Sequence, residues 1–98
     1  MNNRNLASAF AKGADKGQGS HMFIERGVIY SYGHHFPIAI RVGGRVLVNA
    51  DKYSPSTSRH QSYVRSALSV DGALVSAVNT DTIKKFVSGI KGYYETDI

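Results

Sequence analysis

The chain has no cysteine in its 98 residues, which removes disulfide frameworks, thiolate nucleophiles and cysteine-built zinc sites from the chemistry open to it. No apolar run approaches the roughly 18 to 20 residues that cross a bilayer, and the opening "MNNRNLASAFAKG" has no apolar core of the kind a secretory signal carries. The expectation is a soluble cytoplasmic protein with no membrane partner. There is no internal repeat and no low-complexity tract. The length is that of a single domain with a modest core, too short for a multi-domain enzyme. Acids are scarce at the front: residues 1–70 hold nine Lys/Arg against three acids (Asp15, Glu25, Asp51), whereas residues 71–98 hold three against four.

What is present, then, is basic charge, a net +5 for the chain that comes entirely from its first 70 residues, which carry +6 against −1 for the rest. Such a balance draws anionic partners, nucleic acid or an acidic protein surface, by long-range attraction. It serves equally as a solvated surface that keeps a small protein soluble.

Along the chain, "NLASAFAK" places Leu6, Ala9 and Phe10 at helical spacing, and Gly13 can end that helix. Residues 13–20, "GADKGQGS", are glycine-rich and nearly free of apolar side chains, the composition of a flexible linker. "GSHM" at 19–22 matches a common expression-vector remnant, but no polyhistidine run precedes it, and it is read as native. Residues 1–21 are therefore expected to be a short helix on a flexible linker, and residues 22–98 a single α+β domain.

From Met22 the pattern is that of strands. "MFIERGVIYSY" turns at Arg26-Gly27, and "PIAIRVGGRVLVNA" turns at Gly43-Gly44, where glycine can take the positive φ of a two-residue primed turn. That turn pairs Val42 with Arg45, Ile40 with Leu47 and Ile38 with Asn49. It puts Ile38, Ile40, Val42 and Leu47 on the face expected to meet the core. Ala39, Arg41, Val46 and Val48 fall on a face expected to be partly covered. After the polar turn "DKYSPSTS", Ser58 and Gln61 have the spacing of a capping box that opens a helix over about 59–69. Tyr63, Val64, Ala67 and Leu68 share one side of that helix, with His60 at its centre and Arg65 pointing away. "GALVSAV" is compatible with strand or helix. Ile83, Phe86, Val87 and Ile90 then mark a last helix, capped near Asn79 and closed by Gly92, with Lys91 off the apolar stripe and a frayed tail "YYETDI". The fold class is α+β: a small antiparallel sheet of about four strands, covered on one face by two C-terminal helices.

Two constellations carry candidate chemistry. In "YSYGHHFPI", Gly33 permits an unusual backbone angle, Pro37 keeps Phe36 extended, and Phe36 can plug the core. His60 can reach this corner, so His35 and His60 form the candidate acid/base pair if the protein is an enzyme. His34 is a surface residue, and a histidine metal site with Asp51 as a further ligand is conceivable. The structural reading, a core histidine bonded to the corner, weighs more. The second constellation interleaves Tyr30, Tyr32, Phe36, Tyr53 and Tyr63 with Arg26, Arg41, Arg45, Lys52, Arg59 and Arg65. On one face, such residues can stack unpaired bases and hold phosphates. The residues expected to bind a partner are Arg26, Tyr32, His34, Arg41, Arg45, Lys52, Arg59 and Arg65.

"YSYGHHFPIAI" followed by "NADKYSPSTSRHQSYVRSAL" resembles a small bacteriophage-type domain of unknown function, with a pattern of approximately Y-S-Y-G-x-H-F-P-I-A and then Y-S-x-T-S-x-H-Q. The resemblance covers roughly residues 22–68. It picks out Tyr30, Tyr32, Gly33, His35, Phe36 and Pro37, then Tyr53, Ser54, Thr57, Ser58, His60 and Gln61. It implies a phage context, in the cytoplasm of an infected bacterial host. The leading expectation is a small basic, non-enzymatic protein that binds nucleic acid or a nucleoprotein without metal or cofactor. In that reading, neutralising Arg41 or Arg45 reduces the salt dependence of binding. The alternatives are an inhibitor of a host defence complex, anti-CRISPR-like and acting by protein–protein binding, and a histidine-based nuclease or metal enzyme.

Overall fold

The computed structural model describes the backbone of residues 1–96 and the side chains of residues 1–89. Expectations for the Ile90 and Lys91 side chains and for the tail side chains lie outside the described residues. The elements run α1 (Asn3–Ala11), β1 (Lys16–Gln18), β2 (Met22–Glu25), β3 (Val28–Ser31), β4 (Pro37–Val42), β5 (Arg45–Asn49), α2 (Pro55–Val70), β6 (Val75–Val78) and α3 (Thr80–Thr96). The class is α+β, as the sequence indicates. The sheet has six strands rather than four, in the order β1-β2-β3-β4-β5-β6, and it is mixed, because β6 pairs parallel to β5. A parallel neighbour requires a crossover, and α2 supplies it.

Helices cover both faces, not one. Under α1 and α2 lie Met22, Ile24, Ile29, Ile38, Ala39, Val46 and Val48, packed with Leu6, Phe10, Val64 and Leu68. Under α3 lie Val28, Tyr30, Ile40 and Leu47, packed with Ile83 and Val87. The face expected to be partly covered is thus the larger core, with Ala39, Val46 and Val48 all at 2% exposure or less. The β4–β5 register runs as the diglycine turn dictates, Val42 with Arg45 and Ile40 with Leu47. Ile38 departs from it: between β3 and β4 the register shifts after Ile29↔Ala39 so that Tyr30 meets Pro37. Ile38 is the extra residue of a β-bulge, so it joins Ala39 on the α1/α2 side.

The N-terminal helix is docked rather than loosely attached. Leu6, Ala7, Phe10 and Ala11 are buried, and the Arg41 guanidinium donates to the Phe10 and Ala11 carbonyls at 2.8 and 3.2 Å while lying 5.7 Å from the Phe10 ring. Cations at a helix C-terminus satisfy carbonyls that have no partner within the helix. The glycine-rich segment read as a linker contains β1, paired with β2. Its glycine serves contact more than flexibility, since a Cβ at Gly17 would come within 2.8 Å of Leu6 Cδ1.

Helix α2 starts a turn earlier than expected. Ser54, not Ser58, is the N-cap, accepting from Thr57 N at 3.1 Å, and Pro55 follows in the first turn, where a missing N–H costs nothing. Helix α3 continues past Gly92 to Thr96, with Asn79 Oδ1 accepting from Thr82 N at its start. Of its expected stripe, Ile83 and Val87 are buried but Phe86 is 42% exposed. Among the described residues, no helix is long and apolar enough to cross a membrane.

Candidate functional site

The corner between β3 and β4 is built from the hairpin that precedes it. A two-residue turn at Arg26-Gly27, with φ of 53° and 76°, pairs Glu25 with Val28 and, three steps on, Met22 with Ser31. One step further His21 meets Tyr32, whose N–H donates to the His21 carbonyl at 2.7 Å. At Tyr32 the chain turns sharply: its φ is 66°, a left-handed conformation that a bulky side chain rarely adopts. Gly33 N donates to Ser31 O at 2.8 Å and Ser31 N to Phe36 O at 3.1 Å, closing the loop. The His35 ring folds back over Gly33, where a Cβ would lie 2.9 Å from Nδ1.

The first turns of α2 complete the corner from the other side. Ser31 Oγ lies 2.8 Å from His60 Nδ1 and 3.1 Å from Thr57 Oγ1, and all three residues are buried. Next to this group, Gln61 Nε2 donates to the carbonyls of Asn49 and Asp51 at 2.7 and 2.9 Å. Asn49, wholly buried, donates to Pro37 O and Thr80 Oγ1 at 2.9 Å each and accepts from Asp51 N. These polar side chains tie β3, β4, β5, α2 and α3 together. No buried side-chain nitrogen or oxygen among the described residues lacks a partner.

Above the buried layer lies a row of rings. His60 is neighboured by Tyr32 at 5.4 Å, Tyr63 at 6.4 Å and His21 at 6.5 Å, the last nearly parallel. His21 and Tyr32 are 5.2 Å apart. The Arg4 guanidinium sits 5.0 Å from the centre of the Tyr63 ring, a cation–π contact. Tyr32 is 51% exposed; His21, Arg4 and Arg59 are exposed too. Burial, then the nearby His21, then Arg59 push the His60 imidazole below its ordinary value of 6.5, so it is neutral at pH 7.

The expected site residues separate accordingly. His60 is paired with His21 and Tyr32, whereas His35 is exposed and lies against Tyr53 at 5.5 Å, with Tyr53 also 5.4 Å from Phe36. His34 stands on the α3 side, its ring edge-on to Phe23 and Tyr30 and its Nε2 3.2 Å from Glu25 Oε2. Arg41 is committed to the end of α1, and Arg45 donates to Ser76 Oγ at 2.8 Å. Arg26 occupies the β2–β3 turn, while Lys52, Arg59 and Arg65 are exposed. Ser58 is exposed on α2, and Gln61, expected to close a capping box with it, holds the β5–α2 loop instead. His21 and Arg4 escaped the sequence reading. The signal for His21 was the Arg26-Gly27 turn, which fixes the His21–Tyr32 adjacency by counting outward.

Ser31 and His60 have the spacing of a nucleophile and its base, but Ser31 is fully buried and no substrate carbonyl can reach its Oγ. Asp51, considered above as a metal ligand, instead accepts from Thr80 N at 2.8 Å at the start of α3. That N–H, and then the Thr80 hydroxyl, hold its carboxyl below the usual range. Among the described residues, no group of three or more His, Cys, Asp or Glu side chains is placed to hold a metal ion. The chain is thus a three-layer α+β domain with a ring-lined corner at one end of its sheet. No family model, no curated protein and no solved structure matches it.

Proposed function

We propose that the protein is a small basic binding protein of phage type, non-enzymatic, that acts on nucleic acid or a nucleoprotein, and that unpaired bases stack on the Tyr32 corner. The observation that carries this reading is Tyr32 itself: a tyrosine held half-exposed by left-handed backbone, beside two imidazoles. A bulky residue in that conformation costs of order 1–3 kcal/mol and persists where the surroundings over-determine it, commonly at binding sites. Arg59 and Arg4, exposed beside the rings, supply cations for phosphates. Arg41 and Arg45, which the sequence suggested for that role, are occupied within the fold.

Stacking on one aromatic ring is worth about 1–3 kcal/mol per base. Titration of a fluorescent single-stranded oligonucleotide should therefore show Tyr32→Ala weakening binding by about tenfold or more. Arg59→Ala should lower the slope of log affinity against log salt by about 1. Affinity indifferent to salt, or to both substitutions, overturns the reading.

A further inference from the structure

The two edges of the sheet are unlike. Edge β1 is three residues long, carries Lys16 and follows Asp15, the charged and abbreviated form that discourages pairing with another chain. Edge β6, four residues long, carries no charged side chain. From Gly72 to Thr80, "GALVSAVNT", there is no charged residue. Two successive apolar side chains there are exposed, Leu74 at 62% and Val75 at 42%.

The backbone of β6 is half used. Val46 N donates to Leu74 O and Ala50 N to Val78 O, both at 2.8 Å, in a parallel ladder that pairs Val46 with Val75 and Val48 with Ala77. Alternation along a strand makes residues 74, 76 and 78 face β5 and leaves the N–H and C=O of Val75 and Ala77 directed outward. Both residues also have exposed side chains.

We propose that β6 is the seam of a homodimer, in which two copies join edge to edge, antiparallel, into one continuous sheet. A second copy is the occupant that the charge distribution selects. Two chains of net +5 repel over most of their surfaces, and the nine uncharged residues 72–80 are a stretch where they can meet without opposing like charges. A two-fold axis through the seam makes the contact self-complementary, as closed dimers require. Each copy then covers the other's Val75 and Leu74. Salt screens the repulsion between two copies of net +5, so association strengthens as salt rises. Nucleic-acid binding weakens with salt, and the two proposals therefore fail independently.

Sedimentation of the nucleic-acid-free protein across a wide concentration range tests this. The expected result is a monomer–dimer equilibrium, weakened at least tenfold by Val75→Lys and by Ala77→Lys, with circular dichroism showing both variants folded. Ala77→Lys keeps the test informative if Val75→Lys fails to fold. A monomer at every concentration overturns the proposal, as does a dimer that both folded variants leave intact.

Discussion

Ser31 and Tyr32 are neighbours in the chain and opposites in physical state. Ser31 is fully buried, with its hydroxyl bonded to His60 and Thr57. Tyr32 is half-exposed, in left-handed backbone, and its ring lies against His21 and His60. A peptide bond therefore separates the layer that holds the corner shut from the layer proposed to meet a partner. The difference separates two meanings of a polar, aromatic motif: the buried layer is read out in stability, the exposed layer in binding. Substitutions that move one quantity without the other test the division.

The largest effect belongs beneath the corner. Asn49→Ala removes the donor to Pro37 O and Thr80 Oγ1 and the acceptor for Asp51 N. Buried groups left without partners cost about 1–3 kcal/mol each, so chemical denaturation should show a loss of about 3 kcal/mol. A loss below about 1 kcal/mol would show that the network is not what joins β4, β5 and α3.

His60→Ala comes next. It deletes the imidazole bonded to Ser31 and leaves a cavity under Tyr32, an expected loss of about 2 kcal/mol by the same measurement. The residue also gives stability a pH dependence. Its folded-state pKa lies below the ordinary 6.5, mainly through burial, so the unfolded chain binds the proton more readily. The contribution is complete above about pH 6.5 and is lost as pH falls through that value toward the lowered folded-state pKa. The stability difference between wild type and His60→Ala should accordingly shrink on acidification. A difference constant from pH 7.5 to 5, or widening toward acid, contradicts a neutral buried His60.

Much of this division is legible in the sequence. The hairpin turns, the α+β class and the burial of His60 follow from local rules: positive φ at turn glycines, period-two strands and a helical stripe. The N-terminal segment was not legible, because "GADKGQGS" has a linker's composition and its glycine at residue 17 is there for contact with Leu6, a tertiary cause. The sixth strand was hidden in "GALVSAV", whose short apolar run has no decisive period. The partner of His60 was misassigned for a different reason. His35 is near it in motif, but side-chain direction after a left-handed Tyr32 cannot be counted forward through the loop, whereas His21 can be counted across the hairpin.

Tyr32→Gly moves in the opposite direction from the first two. Glycine adopts a φ of 66° without strain, so the variant should gain up to about 1 kcal/mol of stability, offset in part by lost ring contacts. It should lose oligonucleotide affinity by about tenfold or more. Tyr32→Ala keeps the strained backbone and loses the ring, which separates the two contributions. If Tyr32→Gly is both less stable and fully competent to bind, the tyrosine belongs to the buried layer and the division at residue 31 fails.

His35→Ala has the smallest expected effect and is the sharpest contrast with His60→Ala. Both histidines fall within the paired motifs, yet His35 is exposed and its ring contact is with Tyr53, itself 62% exposed. Surface substitutions of this kind change stability by about 0.5 kcal/mol or less. The ring also covers Gly33, so its removal should make the Gly33 amide exchange faster with solvent while the melting temperature stays nearly unchanged. Hydrogen exchange at Gly33 together with thermal unfolding reads both quantities in the same sample. A loss as large as that of His60→Ala would mean that His35 shares the buried network after all. A loss near zero, with faster exchange confined to the loop, places the boundary between holding and binding within the three residues from Ser31 to Gly33.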